Sequence, residues 1–143
     1  MKNILWLFSI LLLFVSSAAT SQTQTVPADV VARLRREAQV TYVHTQIPHN
    51  EEYAAAVLSN GSVVYTRVSD RGGKFSLPLG IILLLHTHPC DALPVPSNAD
   101  KAAAKKIAAP NCVVTLAEVW CAMPNGGVTR GVLSSVPDGK DKP

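Results

Sequence analysis

The chain has 143 residues, with 13 Lys and Arg against 10 Asp and Glu and a formal net charge of +3, which excludes two sizeable domains and a nucleic-acid binder that works by basic excess. Hydrophobic residues make up 48% and charged residues only 16%, and the chain suffices for one compact domain with a modest core.

Residues 1–21 read as a signal peptide: Lys2 supplies the positive start, residues 4–15 an uncharged apolar core, and Ser17-Ala18-Ala19 or Ala19-Thr20-Ser21 the small residues of a cleavage site. The apolar run is shorter than the roughly 20 residues of a membrane span, so no stable span is expected after cleavage. The protein is expected to be exported, periplasmic or secreted. Residues 22–50 form an N-terminal helix and connection. Residues 21–26 are polar and expected to be loose. Across 27–39, Val30, Val31, Leu34 and Ala38 recur at helical spacing with Arg33, Arg35, Arg36 and Glu37 between them, which predicts an amphipathic helix. Residues 40–47 alternate weakly, as a strand or an irregular connection, until Pro48-His49-Asn50 interrupts them. His44 and His49 are isolated and read as polar surface.

A hairpin is expected next, with strands at 53–58 and 62–68 around Asn60-Gly61, a pair suited to the positive φ angles of a tight turn. Glu51 and Glu52 stand at the mouth of its first strand, and either one can belong to a site there. Residues 69–78, with Arg71-Gly72-Gly73-Lys74, read as a surface loop. Residues 79–85 are apolar on both faces, as in a central strand covered on both sides. That strand runs into His86-Thr87-His88-Pro89. Side chains alternate along a strand, so His86 and His88 point the same way. Two imidazoles and one carboxylate make a three-ligand metal site with a position left for water, and Asp100 is the nearest carboxylate that the stiff Pro94–Pro96 loop can fold back.

The alanine-rich stretch 98–108 predicts a helix that ends before Pro110. Ser97 and Asp100, three apart, have the spacing of a capping box, a purely structural role compatible with ligation. Lys101, Lys105 and Lys106 read as its solvated face, not a phosphate patch. Residues 112–115 and 118–121 predict two short strands whose register sets Cys112 opposite Cys121 as a disulfide; Cys90 is then an incidental loop cysteine or a metal ligand, unless it is itself the partner of Cys112. A turn at Pro124-Asn125-Gly126-Gly127 leads to a last strand at 128–133, and 135–143 reads as a disordered tail. Nothing in the sequence sets the oligomeric state.

Glu52, then His86-Thr87-His88-Pro89, then Ser97-Asn98-Ala99-Asp100 resembles the signature of the JAMM or MPN metalloprotease family, most closely its small bacterial JAB-type domains, over about 51–134. The resemblance implies a mixed α/β fold, a central mixed β-sheet flanked by helices in MPN-like (cytidine-deaminase-like) layering. It implies Zn2+ held by His86, His88 and Asp100, with Glu52 as general base and Ser97 helping to hold the oxyanion or the water. The implied activity is zinc-dependent hydrolysis of an amide, peptide or isopeptide bond in a protein or peptide substrate; for an exported chain the candidates are peptidoglycan-linked peptides and a partner protein cut during assembly. Eight residues separate His88 from Ser97, one more than the family pattern, and Ala54, Ala55 and Ala56 replace the glycines common after the glutamate. The alternative from another class is a catalytically silent exported domain that binds a partner protein; a third is a small disulfide-stabilised binding module without metal.

Overall fold

The structure, a computed structural model, describes residues 22–45, 51–69, 76–88 and 93–135. The expectations for the leader at 1–21, His49, the 71–74 loop, Cys90 and the tail beyond 135 lie outside the described residues. Among the described residues two helices and seven strands alternate as β1 (Gln24–Val26), α1 (Ala28–Thr45), β2 (Glu51–Leu58), β3 (Val63–Ser69), β4 (Ile81–Thr87), α2 (Asn98–Ile107), β5 (Asn111–Val114), β6 (Val119–Ala122) and β7 (Val128–Leu133). The strands form one sheet in the order β1-β7-β6-β5-β4-β2-β3. It is mixed, since β4 runs parallel to β5 and β1 parallel to β7 while the other pairs are antiparallel. The expected mixed α/β class, a sheet flanked by helices, is therefore the observed one.

The period of two along each strand divides the sheet into two faces. One carries Ala55, Val57, Leu83, Leu85, Cys112, Val114, Val119 and Cys121, and it packs with Val30, Val31 and Leu34 of α1 into the main core. The other carries Ala54, Ala56, Leu84, His86, Asn111 and Val113, and α2 lies on this side because its Asp100 meets His86. Arginines secure the rims of α1. Arg35 Nε donates to the Thr115 carbonyl at 2.8 Å, and the Arg33 guanidinium lies 3.7 Å from the Tyr65 ring centre.

Four local expectations are corrected. Residues 24–26 are not loose: they are strand β1, and Val26 is fully buried against the core, with its carbonyl accepting from Ser134 N at 2.8 Å. Three residues carry no periodicity to read, so only the pairing with β7 reveals them. Helix α1 runs to Thr45 instead of stopping at 39, because extending an existing helix adds a hydrogen bond per residue and outweighs the weak preference of Val40, Thr41 and Val43 for strands. The apolar strand starts at Ile81, not 79: Leu79 is 95% exposed and Gly80 turns the chain with φ +77°. It is an interior strand, next to the central β5, and Ile82 remains half exposed on its second face.

The hairpin forms as expected, although Gly61 alone has positive φ, +84°. Leu58 accepts from Gly61 N at 2.9 Å and donates its own N–H to Ser62, so the loop is a turn followed by a glycine bulge. Cys112 and Cys121 pair across β5 and β6 and are joined by a disulfide, the register the sequence predicts.

Candidate metal centre

The centre is built by the β4–α2–β5 crossover. Buried Leu83, Leu84 and Leu85 anchor β4 in the sheet interior, which carries His86 inward and leaves His88 one residue past the strand end. Helix α2 then starts at the same end. Ser97 caps it: its hydroxyl accepts from Asp100 N at 3.2 Å, while Asp100 Oδ2 accepts from Ser97 N and Oγ, each at 2.7 Å. This reciprocal capping box fixes the Asp100 carboxylate at the helix N-terminus, where the aligned peptide dipoles favour negative charge.

The three ligands converge. His86 Nε2 lies 3.1 Å from Asp100 Oδ1 and His88 Nε2 lies 3.4 Å from Asp100 Oδ2. The ligand atoms of all three side chains lie within 4.8 Å of one another. The Nδ1 atoms face away from this point, that of His88 toward the Leu93 carbonyl at 2.7 Å and that of His86 toward Asn111 Oδ1 at 3.1 Å. A neutral imidazole that donates through Nδ1 presents a bare Nε2 lone pair, the state a metal needs. The triad His86, His88 and Asp100 can therefore hold a metal ion.

Charges in the centre are strongly coupled. The hydrogen bond to Asp100 raises the pKa of His88 above its ordinary 6.5; burial opposes this, and the Leu93 carbonyl and the charges of Asp100 and Glu52 add to it. Burial pushes the Asp100 carboxyl up, but hydrogen bonds from His86 and then His88 outweigh it and hold the group well below the usual carboxylate range.

No family profile, curated protein or solved structure matches the chain. Site chemistry must be read from the residues alone.

Ala54 pairs with His86 in the antiparallel β2–β4 ladder; Glu52 lies two residues before Ala54 on the same face of β2, and its charge adds to the raising of His88. Beyond that ladder the Thr87 hydroxyl accepts from Tyr53 N at 3.0 Å, which holds the start of β2, and with it Glu52, against β4. The structure thus brings His86, His88 and Asp100 together with Ser97, and sets Glu52 near enough for its charge to act on His88. Ser97 reaches the centre through Asp100: its hydroxyl proton is committed to Oδ2, so donating to a substrate requires releasing that bond.

Asn111 was missed from the sequence. It is 2% exposed, and its amide bridges His86 and the Asp100 backbone carbonyl, the latter at 3.2 Å. A signal existed: asparagine is disfavoured in strands, yet it opens the otherwise apolar run Asn111-Cys112-Val113-Val114. The Leu93 contact uses a backbone carbonyl and left none. An open cleft of about 180 Å³ lined by Arg33, Leu34, Glu37, Tyr53, Tyr65 and Arg67 lies between α1 and the β2–β3 hairpin, and none of the three ligands lines it.

Proposed function

We propose that this chain is an exported zinc-dependent hydrolase of amide bonds, peptide or isopeptide, related in its chemistry to the JAMM or MPN enzymes that its motifs resemble. The observation that carries this is the meeting of two imidazole Nε2 atoms and one carboxylate, with the charge of Glu52 acting on His88. Zinc is the metal best suited to two histidines and a carboxylate with one open position. With bonds of about 2.0–2.1 Å, the ligand atoms of a tetrahedral ion stand roughly 3.3 Å apart. The 3.1 Å between His86 Nε2 and Asp100 Oδ1 matches that edge, while His88 Nε2 lies 3.4 Å from the other oxygen, Oδ2. Ser97 occupies Asp100 Oδ2 with two hydrogen bonds, which leaves Oδ1 as the ligand atom.

Bound there, zinc would act as a Lewis acid, lowering the pKa of water to about 7 and polarising the scissile carbonyl. Glu52 takes the proton of the attacking water and passes it to the leaving amine. Thr87, through Tyr53 N, keeps Glu52 in line with His88. Ser97 steadies Asp100 in the ionised state and, when its hydroxyl turns, donates to the developing oxyanion. Substrates of the fitting class are extended peptides, including peptidoglycan-linked peptides or a partner protein cut during assembly.

The test begins with metal content of protein purified without a chelating tag. Wild type is expected to carry about one zinc per chain and His88→Ala none. Substrate screening follows, with Glu52→Gln as the variant that keeps zinc and loses turnover. Wild type that stays folded and metal-free after zinc addition overturns the hydrolase.

A second function, a catalytically silent exported domain that binds a partner protein, is favoured by one observation. Asp100 is fully engaged by Ser97, His86 and His88 as it stands, so the triad is also a self-satisfied polar cluster. Equal turnover by wild type and Glu52→Gln, with zinc bound in both, selects this function.

A further inference from the structure

We propose that Asn111 is a positioning residue of the metal centre: its amide holds His86 in the Nδ1–H form and so turns the bare Nε2 toward Asp100 Oδ1. This role rests on the metal-centre reading and adds to it a residue that belongs to neither the ligands nor the motif around them.

Hydrogen-bond capacity alone forces the assignment. The backbone carbonyl of Asp100 only accepts, so the Asn111 group 3.2 Å from it must be the amide nitrogen. The amide oxygen then faces His86 Nδ1 at 3.1 Å, and an amide oxygen also only accepts. His86 Nδ1 must therefore carry the hydrogen, and in a neutral ring Nε2 carries none. A bare Nε2 then lies 3.1 Å from a carboxylate oxygen. Two lone pairs at that separation repel unless a cation lies between them, either a second ring proton donated from Nε2 to Asp100 Oδ1 or a metal ion in its place.

Position makes the contact rigid. Asn111 opens β5 directly after Pro110, whose carbonyl accepts from Leu84 N at 2.9 Å, and it pairs in register with Leu84 on β4 and Ala122 on β6. The next residue is the disulfide-bonded Cys112. One amide thus joins two of the three ligands, His86 by its side chain and Asp100 by its backbone, from a strand fixed on both sides. Every buried side-chain polar atom among the described residues has a partner, so removing this amide leaves His86 Nδ1 unpaired. Partners of this kind typically change metal affinity about 10- to 100-fold.

The test separates a tautomer lock from a structural clip. Nitrogen-15 NMR of the imidazoles is recorded on metal-free wild type, Asn111→Leu and Asn111→Asp at alkaline pH, and zinc affinity is titrated for each. Wild type is expected to show His86 as Nδ1–H. Asn111→Asp keeps an acceptor for His86 and loses the donor to Asp100, so it should keep Nδ1–H and bind zinc within a few-fold of wild type. Asn111→Leu should show a mixture of tautomers and about 10- to 100-fold weaker zinc binding. Equal loss of zinc affinity in both variants, with His86 unchanged in tautomer, makes Asn111 a clip and overturns the proposal. An Nε2–H ring in wild type overturns it without any variant, which covers the case of a leucine variant that fails to fold. Zinc binding that survives Asn111→Leu overturns this role alone, whereas wild type without zinc affinity overturns the metal centre and this role together.

Discussion

Asp100 is a helix cap and an ion-pair partner of two imidazoles, and it can serve as a metal ligand; these uses respond oppositely to pH. Its carboxyl is held below the usual range, so the stability it contributes is present above its unfolded value of 3.8 and is lost as pH falls toward its folded one. His88 is raised, so its contribution is present below 6.5 and is lost as pH rises through its higher folded value. In metal-free protein the pair therefore stabilises most between these limits and fades on the alkaline side. Zinc needs the opposite state of His88, because its proton must leave before Nε2 can ligate. Apparent zinc affinity should be level at alkaline pH and fall about tenfold per pH unit once His88 holds its proton. Competition titration against a chelator across pH 5.5–9 checks this as an approximate window set by those directions. Affinity that is flat across the window would mean that His88 is not a ligand.

At the scale of elements, the sheet depends on close approaches that no single strand reveals. Gly131 in β7 is the tightest. A Cβ there would lie 2.7 Å from Val119 Cγ1 and 2.9 Å from Val119 Cβ, inside the contact distance of real side chains. Val119 is buried in the main core and cannot give way freely. Gly131→Ala should therefore destabilise by about 1–3 kcal/mol, as overpacked core sites do. Chemical denaturation with an unchanged slope but a lower midpoint is the expected record. Gly126 provides the contrast: no atom lies within 4 Å of an added Cβ, and its φ of +90° makes backbone strain the whole cost of substitution there. Helix α2 ends on a non-glycine residue with positive φ, Ala108 at +54°, which closes the helix just before Pro110 turns the chain into β5.

For the whole molecule, metal and fold should be linked, since the ligands come from β4 and from α2 across the loop between them. A ligand that binds only the native state at 100 times its Kd adds about 2.7 kcal/mol. For a domain of this size that is roughly 10 °C in Tm. Calorimetry should show this rise on zinc addition, its reversal by chelator, and neither effect in Asp100→Asn. Among the described residues no helix is long and apolar enough to cross a membrane. Stability must come from the α1-covered core of Leu34, Leu85, Val114 and their neighbours, with the disulfide closing a nine-residue separation inside it.

The spacing of His86, His88, Ser97 and Asp100 was readable because each relation is local: a strand's alternation, and the first turn of a helix. The Asn-Gly hairpin and the Cys112–Cys121 register were readable for the same reason, as both follow from short turns. Tertiary structure decided what depends on partners distant in sequence. It made β1 a strand by pairing it with β7, more than 100 residues away. It paired Ala54 with His86, which sets the His86 face of β4 beside the face of β2 that Glu52 shares with Ala54. It also recruited Asn111 and the Leu93 carbonyl, which orient imidazoles whose outward nitrogens the motif leaves unassigned. Local periodicity names the ligand types; only the register of packed strands and helices fixes which atoms face one another.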